Sequence, residues 1–195
     1  SAVVGKLDFL ITPDRNRRWE LLKSGQVSIA MDLDQLDKVP FEDSSVNCYK
    51  TINTLSVMGF LNCFTSPFNS CEARMALNLA VNVDELIKEV VHGLAVPSKT
   101  IVSPFHCGFE SELQTIPYDP DRAKALFSKA IMPEKLILRS PTYMPERAAE
   151  SAAFIVRALE NSGLKVERDI VEDRPEYARQ VGRKETGHIA LFDSC

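Results

Sequence analysis

The chain has 195 residues, enough for one sizeable core or two small lobes. It is 45% hydrophobic and 26% charged, with a formal net charge of −4. That ordinary globular balance argues against a surface built mainly for nucleic acid or anionic membrane. No apolar run approaches the roughly 20 residues that a membrane-spanning helix needs. Residues 1–6 (SAVVGK) lack the basic and long apolar regions of a signal peptide. Both ends read as cut from a longer protein: the first residue is not Met, and Cys195 directly follows a strand-like run. A missing targeting signal therefore says little about compartment.

The five cysteines are Cys48, Cys63, Cys71, Cys107 and Cys195. An odd number without a C-x-x-C motif fits neither a closed disulfide framework nor a zinc site. They are expected as small buried hydrophobes or free thiols, with a Cys63–Cys71 bridge as the alternative. Such a set leans towards a reducing compartment.

Residues 6–11 (KLDFLI) alternate apolar and polar side chains, the period of a strand. Asp14 then offers an N-cap for a short helix, RNRRWELLKSG, that Gly25 stops. Arg15, Arg17 and Arg18 are interleaved with Asp14 and Glu20, which favours a solvated helix face over a phosphate site. Trp19 reads as packing. Residues 26–31 (QVSIAM) alternate again, with Val27, Ile29 and Met31 on one face. This order predicts two parallel strands joined by a right-handed crossover.

Residues 32–45 are acidic, contain Pro40 and read as a loop. Residues 46–54 (VNCYKTINT) are β-rich and are expected to pair with the more apolar 56–64 (SVMGFLNCF). After a Pro67-Phe68-Asn69 turn, helical spacing runs from Ala73 to Val91. It breaks near Asn82-Val83-Asp84, where Asp84 can cap the second piece, and Gly93 ends it. Residues 94–108 are Pro-punctuated and non-periodic, a long connection of the kind that lies on a functional surface.

Asp119 as N-cap and Pro120 at the first helical position open the next helix, with Ala123, Leu126, Phe127 and Ala130 as its buried stripe. Then follow a strand over 134–140, a helix over 145–162 ended by Gly163, a strand over 164–171, a short helix from Arg174-Pro175 and a strand over 188–192. That order is an α/β pattern, a sheet covered by helices.

No motif for phosphate, dinucleotide, nucleophilic or zinc chemistry is present. His92, His106 and His188 are far apart in sequence. Glu110 and Glu112 form the one loop-borne carboxylate pair that invites an acid/base reading. No catalytic residue, metal ligand or cofactor is assigned, and the chain reads as a non-enzymatic binding module.

Several stretches carry a resemblance. Residues 8–30 (DFLITPDRNRRWELLKSGQVSIA) look like a strand, an Arg- and Leu-bearing helix and a turn into a second strand, with Ser28 where Asp is usual. Phe60-Leu61-Asn62 followed by Ser66-Pro67-Phe68 looks like an "fN…PF" crossing strand. Residues 73–82 (ARMALNLAVN) and 84–97, ending Gly93…Ala95…Pro97, are similar to a paired-helix motif. Residues 118–127 (YDPDRAKALF) match "yDp-x-kAkaLl", and Ala158-Leu159 with 162–166 (SGLKV) is similar to "q-L-x-x-iGi-x-v". Together, in this order and spacing, they resemble the bacterial extracellular solute-binding proteins of family 5, the dipeptide-, oligopeptide- and nickel-binding components of ABC importers. They match only the middle of such a protein.

The resemblance implies a fragment of a type II periplasmic-binding-protein-like fold, a mixed sheet covered by helices, closing on ligand by a hinge. Residues 1–58 would belong to the main lobe and 59–195 to a second lobe. Residues 59–64 and 189–195 would be hinge-crossing strands, so 59–64 should run beside 189–192. Phe60, Asn62, Phe192 and Asp193 are the candidate ligand contacts; the alternative is that they pack or cap the hinge. A "W-x-x-D" ligand element cannot be carried over, because the last residues are Phe192-Asp193-Ser194-Cys195. The implied partners are a small peptide or other small solute and a membrane permease, for a periplasmic or extracellular, membrane-associated monomer, with no nucleic acid bound by this segment. The rival expectation is an intracellular ligand-sensing domain of a transcriptional regulator, in the cytoplasm.

Overall fold

Short polar side chains start the helices in one repeated way. Asp14, Asn82, Asp119 and Asp173 each accept the backbone N–H three residues on, from Arg17, Glu85, Arg122 and Glu176 at 2.7–3.1 Å. Ser70 does the same for Ala73 at 3.3 Å. Each cap satisfies a donor the helix cannot, for about 1 kcal/mol. The helices so started are α1 (Arg15–Lys23), α2 (Cys71–Ala80), α3 (Val83–Glu89), α4 (Pro120–Phe127) and α6 (Arg174–Gly182). Asn82, not Asp84, caps α3; Asp84 lies in its first turn, where its charge faces the positive end of the helix. Gly25, Gly93 and Gly163 take positive φ, as the stops after α1, α3 and the longest helix require.

The structure, a computed structural model, describes residues 3–33, 45–49, 51–52, 54–143 and 147–194. It divides into two compact units, Ser1–Thr51 and Ile52–Cys195. The first holds α1. Arg18 leaves the expected solvated face there and bonds the carbonyls of Thr12, Pro13 and Asp32 at 2.8–3.0 Å. The strand–helix–strand expectation fails among the described residues: 6–11 and 26–31 form no strand, and Gln26 and Val27 bond back to the Leu21 carbonyl of α1. Their alternating side chains lie in solvent, Phe9 84% and Ile29 75% exposed. Alternation selects a face, but a strand also needs a partner strand for its backbone groups, and the described residues of this unit supply none.

The second unit is built on one sheet in the order β1-β4-β2-β3, comprising β1 (Ser56–Leu61), β2 (Leu136–Pro141), β3 (Val166–Val171) and β4 (Ile189–Ser194). β1 runs antiparallel to β4, with Gly59 opposite Leu191. It does not pair with 46–54, whose described residues form no strand. The adjacency expected for 59–64 and 189–192 is thus present. β2 runs parallel to β3 and to β4. One face carries Leu136, Leu138, Ile189 and Leu191, packed with α2, α4 and α5 (Ala148–Asn161). Ala73, Ala76, Ala123, Ala148 and Ala152 are fully buried, and their small side chains let the helices approach closely around Phe68, Leu79, Phe127 and Leu159. The start of the 145–162 helix expectation falls partly outside the described residues, as do Cys195 and most of 32–45.

Cys48, Cys63, Cys71 and Cys107 are exposed thiols outside any disulfide, as the free-thiol expectation had it; the buried-hydrophobe reading and the Cys63–Cys71 bridge are corrected. Cys71 opens α2 with the Arg74 guanidinium 2.8 Å from its sulfur, and Cys63 lies in the turn after β1, so both face outward. Gly187, just before β4, has φ +62°, and an added Cβ would meet the Ile137 side chain at 3.0 Å. Gly187→Ala is therefore expected to cost about 2 kcal/mol, from backbone strain plus overpacking, measured by urea denaturation. A loss under about 0.5 kcal/mol would show that β2 yields there.

Candidate ligand-binding site

A sheet of parallel strands wound in two directions opens a crevice outside its carboxyl ends at the point where the winding reverses. Here that point is the β4–β2 junction. From β2 the chain passes through α5 to β3 on one side; from β3 it returns through α6 and past β2 to β4 on the other. α5 covers the face of Leu138 and Leu191. Strand alternation turns Phe192 to the opposite face, where Tyr177 of α6 meets it with ring centroids 5.9 Å apart.

Three groups converge on the carboxyl end of β4. The Arg174 guanidinium lies 4.3 Å from the Phe192 ring centroid and 2.6 Å from Asp193 Oδ1. Both side chains of this ion pair are largely buried, 15% and 8% exposed. Phe60 meets the Phe192 ring edge-on at 5.9 Å. Beneath them Tyr177, fully buried, donates its hydroxyl to the Leu191 carbonyl at 2.8 Å, with the Arg139 carbonyl at 3.1 Å. Burial pushes this phenol's pKa up, so it stays a neutral donor. One side chain thereby touches both strands of the junction. Beside it Arg139 bonds Asp169 at 2.7 Å and the Glu185 carbonyl at 2.5 Å.

On the α5 side, Ser140 is fully buried and its hydroxyl has no partner among the described residues. The N-cap residue of α5, Arg147, makes no side-chain cap bond among the described residues. The N–H groups of a helix start favour oxygen atoms and negative charge.

The candidate residues named from the sequence do not form one cluster. Phe192 and Asp193 stand in the carboxyl half of β4, and Phe60 of β1, opposite Ala190, reaches the Phe192 ring from the neighbouring strand. Asn62 lies two residues beyond Phe60, opposite the start of β4 and about 16 Å along the strand from Asp193. There Asn62 Nδ2 donates to the Gly187 carbonyl at 3.2 Å, its backbone N–H to the His188 carbonyl at 3.0 Å, and Oδ1 accepts from Phe64 N–H at 3.2 Å. Glu110 does not face Glu112 as an acid/base pair; it accepts the Glu112 N–H at 3.0 Å within its own turn. Among the described residues no group of His, Cys, Asp and Glu gathers as a metal cluster, and no helix is long and apolar enough to cross a membrane. Sequence reading missed Arg174, Tyr177 and Ser140. The signal for the first two is their i,i+3 spacing, which sets them on one face of α6.

A sheet wound both ways from one junction and covered by helices recurs in many protein families, ABC-transporter substrate-binding proteins among them. The crystal structure of one, CtaP from Listeria monocytogenes, superposes with a TM-score of 0.77 over 94% of this chain and 38% of that one, at 21% identity. The family model "Bacterial extracellular solute-binding proteins, family 5 Middle" matches residues 2–191, and the chain belongs to that family. It is 32% identical over 130 residues to the dipeptide-binding protein of Escherichia coli, covering 65% of this chain and 24% of the relative. It is 26% identical over 193 residues to "Probable di/tripeptide-binding protein 5" of Pseudomonas aeruginosa, covering 97% and 36%. The chain thus spans about a quarter to a third of the length of these relatives.

Proposed function

We propose that this chain is the middle part of the substrate-binding protein of an ABC importer, acting outside the cytoplasm, and that its ligand is a small peptide. The observation that carries the reading is the family match over residues 2–191. In this reading residues 1–58 belong to the main lobe, 59–195 form a second lobe, and β1 and β4 are the crossings between them. The uncovered alternating faces of 6–11 and 26–31 are what the remaining length of such a protein would cover. The junction crevice holds the ligand. A peptide needs donors and acceptors for its main chain and its end charges, not a nucleophile. The start of α5 and the Ser140 hydroxyl suit peptide carbonyl or carboxylate oxygens. Asp193 is spoken for by Arg174, so it and Phe192 shape the crossing, and Phe60, 40% exposed, presents its free edge to the ligand. The relatives lend no support to a regulatory sensing domain.

The test is thermal unfolding of the intact protein with short peptides. A ligand present at a hundredfold excess over its Kd stabilises by about 2.7 kcal/mol. No shift with peptides, metal chelates or sugars would overturn the transport reading.

A further inference from the structure

The β4–β2 junction is held by a short ladder. Its registered pairs are Leu138 with Ile189 and Arg139 with Ala190, against six pairs in β1–β4 and six in β2–β3. Just beyond it His188 and Ile137 exchange two hydrogen bonds. The His188 N–H donates to the Ile137 carbonyl at 3.1 Å, as a ladder residue would. The return bond is different: the Ile137 N–H donates to the His188 ring at Nδ1, 2.9 Å away. An imidazole nitrogen stands where a strand carbonyl would accept. The same His188 also joins β1, because its carbonyl accepts the Asn62 N–H at 3.0 Å.

We propose that His188 is an acid-sensitive latch that holds the β1–β4 ribbon to the β2–β3 pair. A backbone N–H can only donate, so the latch exists only while Nδ1 carries no proton. Protonation turns Nδ1 into a donor facing a donor and leaves the Ile137 N–H unpaired. The surrounding charges are otherwise engaged. Lys135, just before β2, pairs with Glu167 of β3; Arg139 of β2 pairs with Asp169 of β3 and bonds the Glu185 carbonyl. Lys184 stands over the Phe64 ring, and β1 contributes the neutral Asn62. With no carboxylate stabilising an imidazolium among the described residues, burial pushes the His188 pKa below its ordinary 6.5. The unfolded chain therefore takes up the proton first. The latch contributes fully above about pH 6.5 and is lost as pH falls through the lower folded value. Because the proposed ligand crevice opens at this same junction, acid would also weaken ligand retention, a consequence that rests on the peptide-binding reading.

Hydrogen exchange of the Ile137 amide in the intact protein tests the latch, corrected for intrinsic rates, at about pH 7.5 and about pH 5. Protection of Ile137 is expected to fall about fivefold more than that of Leu138. His188→Asn keeps an acceptor that does not titrate, and should abolish the difference. Equal protection at both pH values, or the same loss in His188→Asn, would overturn the latch. Where that variant fails to fold, the ring nitrogen shifts of the wild-type protein decide: an unprotonated Nδ1 at neutral pH supports the latch, a protonated one overturns it. The exchange response without binding of any peptide would remove the ligand reading alone and leave the latch standing.

Discussion

Arg174→Met is expected to lower the unfolding free energy by about 3 kcal/mol, because it strands a buried carboxylate. Asp193 is 8% exposed and its Oδ1 lies 2.6 Å from Arg174. Without the guanidinium that largely buried charge loses its ion-pair partner among the described residues. Asp193→Asn should cost less, about 1–2 kcal/mol, since Arg174 keeps its stack on Phe192, 4.3 Å from the ring centroid. Arg174→Met combined with Asp193→Leu should recover most of the loss, because replacing both partners by apolar groups leaves no charge buried. Arg174→Lys separates the two roles: it keeps a charge for Asp193 but loses the planar stack. Urea denaturation at neutral pH reads all four. A single-variant loss below about 0.5 kcal/mol would mean that water reaches Asp193 and the pair is a surface one.

The sequence made the local elements of the second unit legible and left the long-range ones obscure. Asp119-Pro120 states where a helix starts because a cap is a contact over three residues. Gly25, Gly93 and Gly163 state where they end, because positive φ is a property of one residue. Pairing is different. The alternation at 46–54 and 56–64 suggests a hairpin, yet β1 pairs with β4, more than a hundred residues on. Period two marks which side of a strand faces the core but carries no information about its neighbour. The β1–β4 adjacency is anticipated from the family resemblance, not from any pattern in the residues.

The site shows the same limit at closer range. Phe192 and Asp193 are singled out only through the family resemblance, which implies a crossing strand there. Arg174 and Tyr177 are not, because they matter only once the β3–α6–β4 return lays α6 over β4. His188 looks like an isolated histidine until β2 brings the Ile137 N–H to its ring. The exposed cysteines of the second unit follow the same rule: a small apolar residue is a core candidate by type, but Cys63 and Cys71 sit in a turn and a first helical turn that face outward.

Tyr177→Ala should carry the larger penalty, about 4 kcal/mol. Tyr177 is fully buried, so truncation opens a ring-sized void under Phe192 and removes the hydroxyl that meets the Leu191 and Arg139 carbonyls. Tyr177→Phe divides those terms. It keeps the ring and loses the hydroxyl, for about 1 kcal/mol. The ratio matters because the two variants should differ in kind. Loss of the void-filling ring loosens α6 from the whole face, so the cost appears as general destabilisation in urea. Loss of the hydroxyl acts where the β4–β2 ladder is shortest, at Leu138–Ile189 and Arg139–Ala190. Tyr177→Phe should therefore speed amide exchange at Ile189 to Leu191 selectively while β1–β4 pairing at Val57 and Gly59 keeps its protection. Uniform acceleration over all four strands would show that the hydroxyl supports the unit as a whole, and that the junction is no weaker than the rest of the sheet.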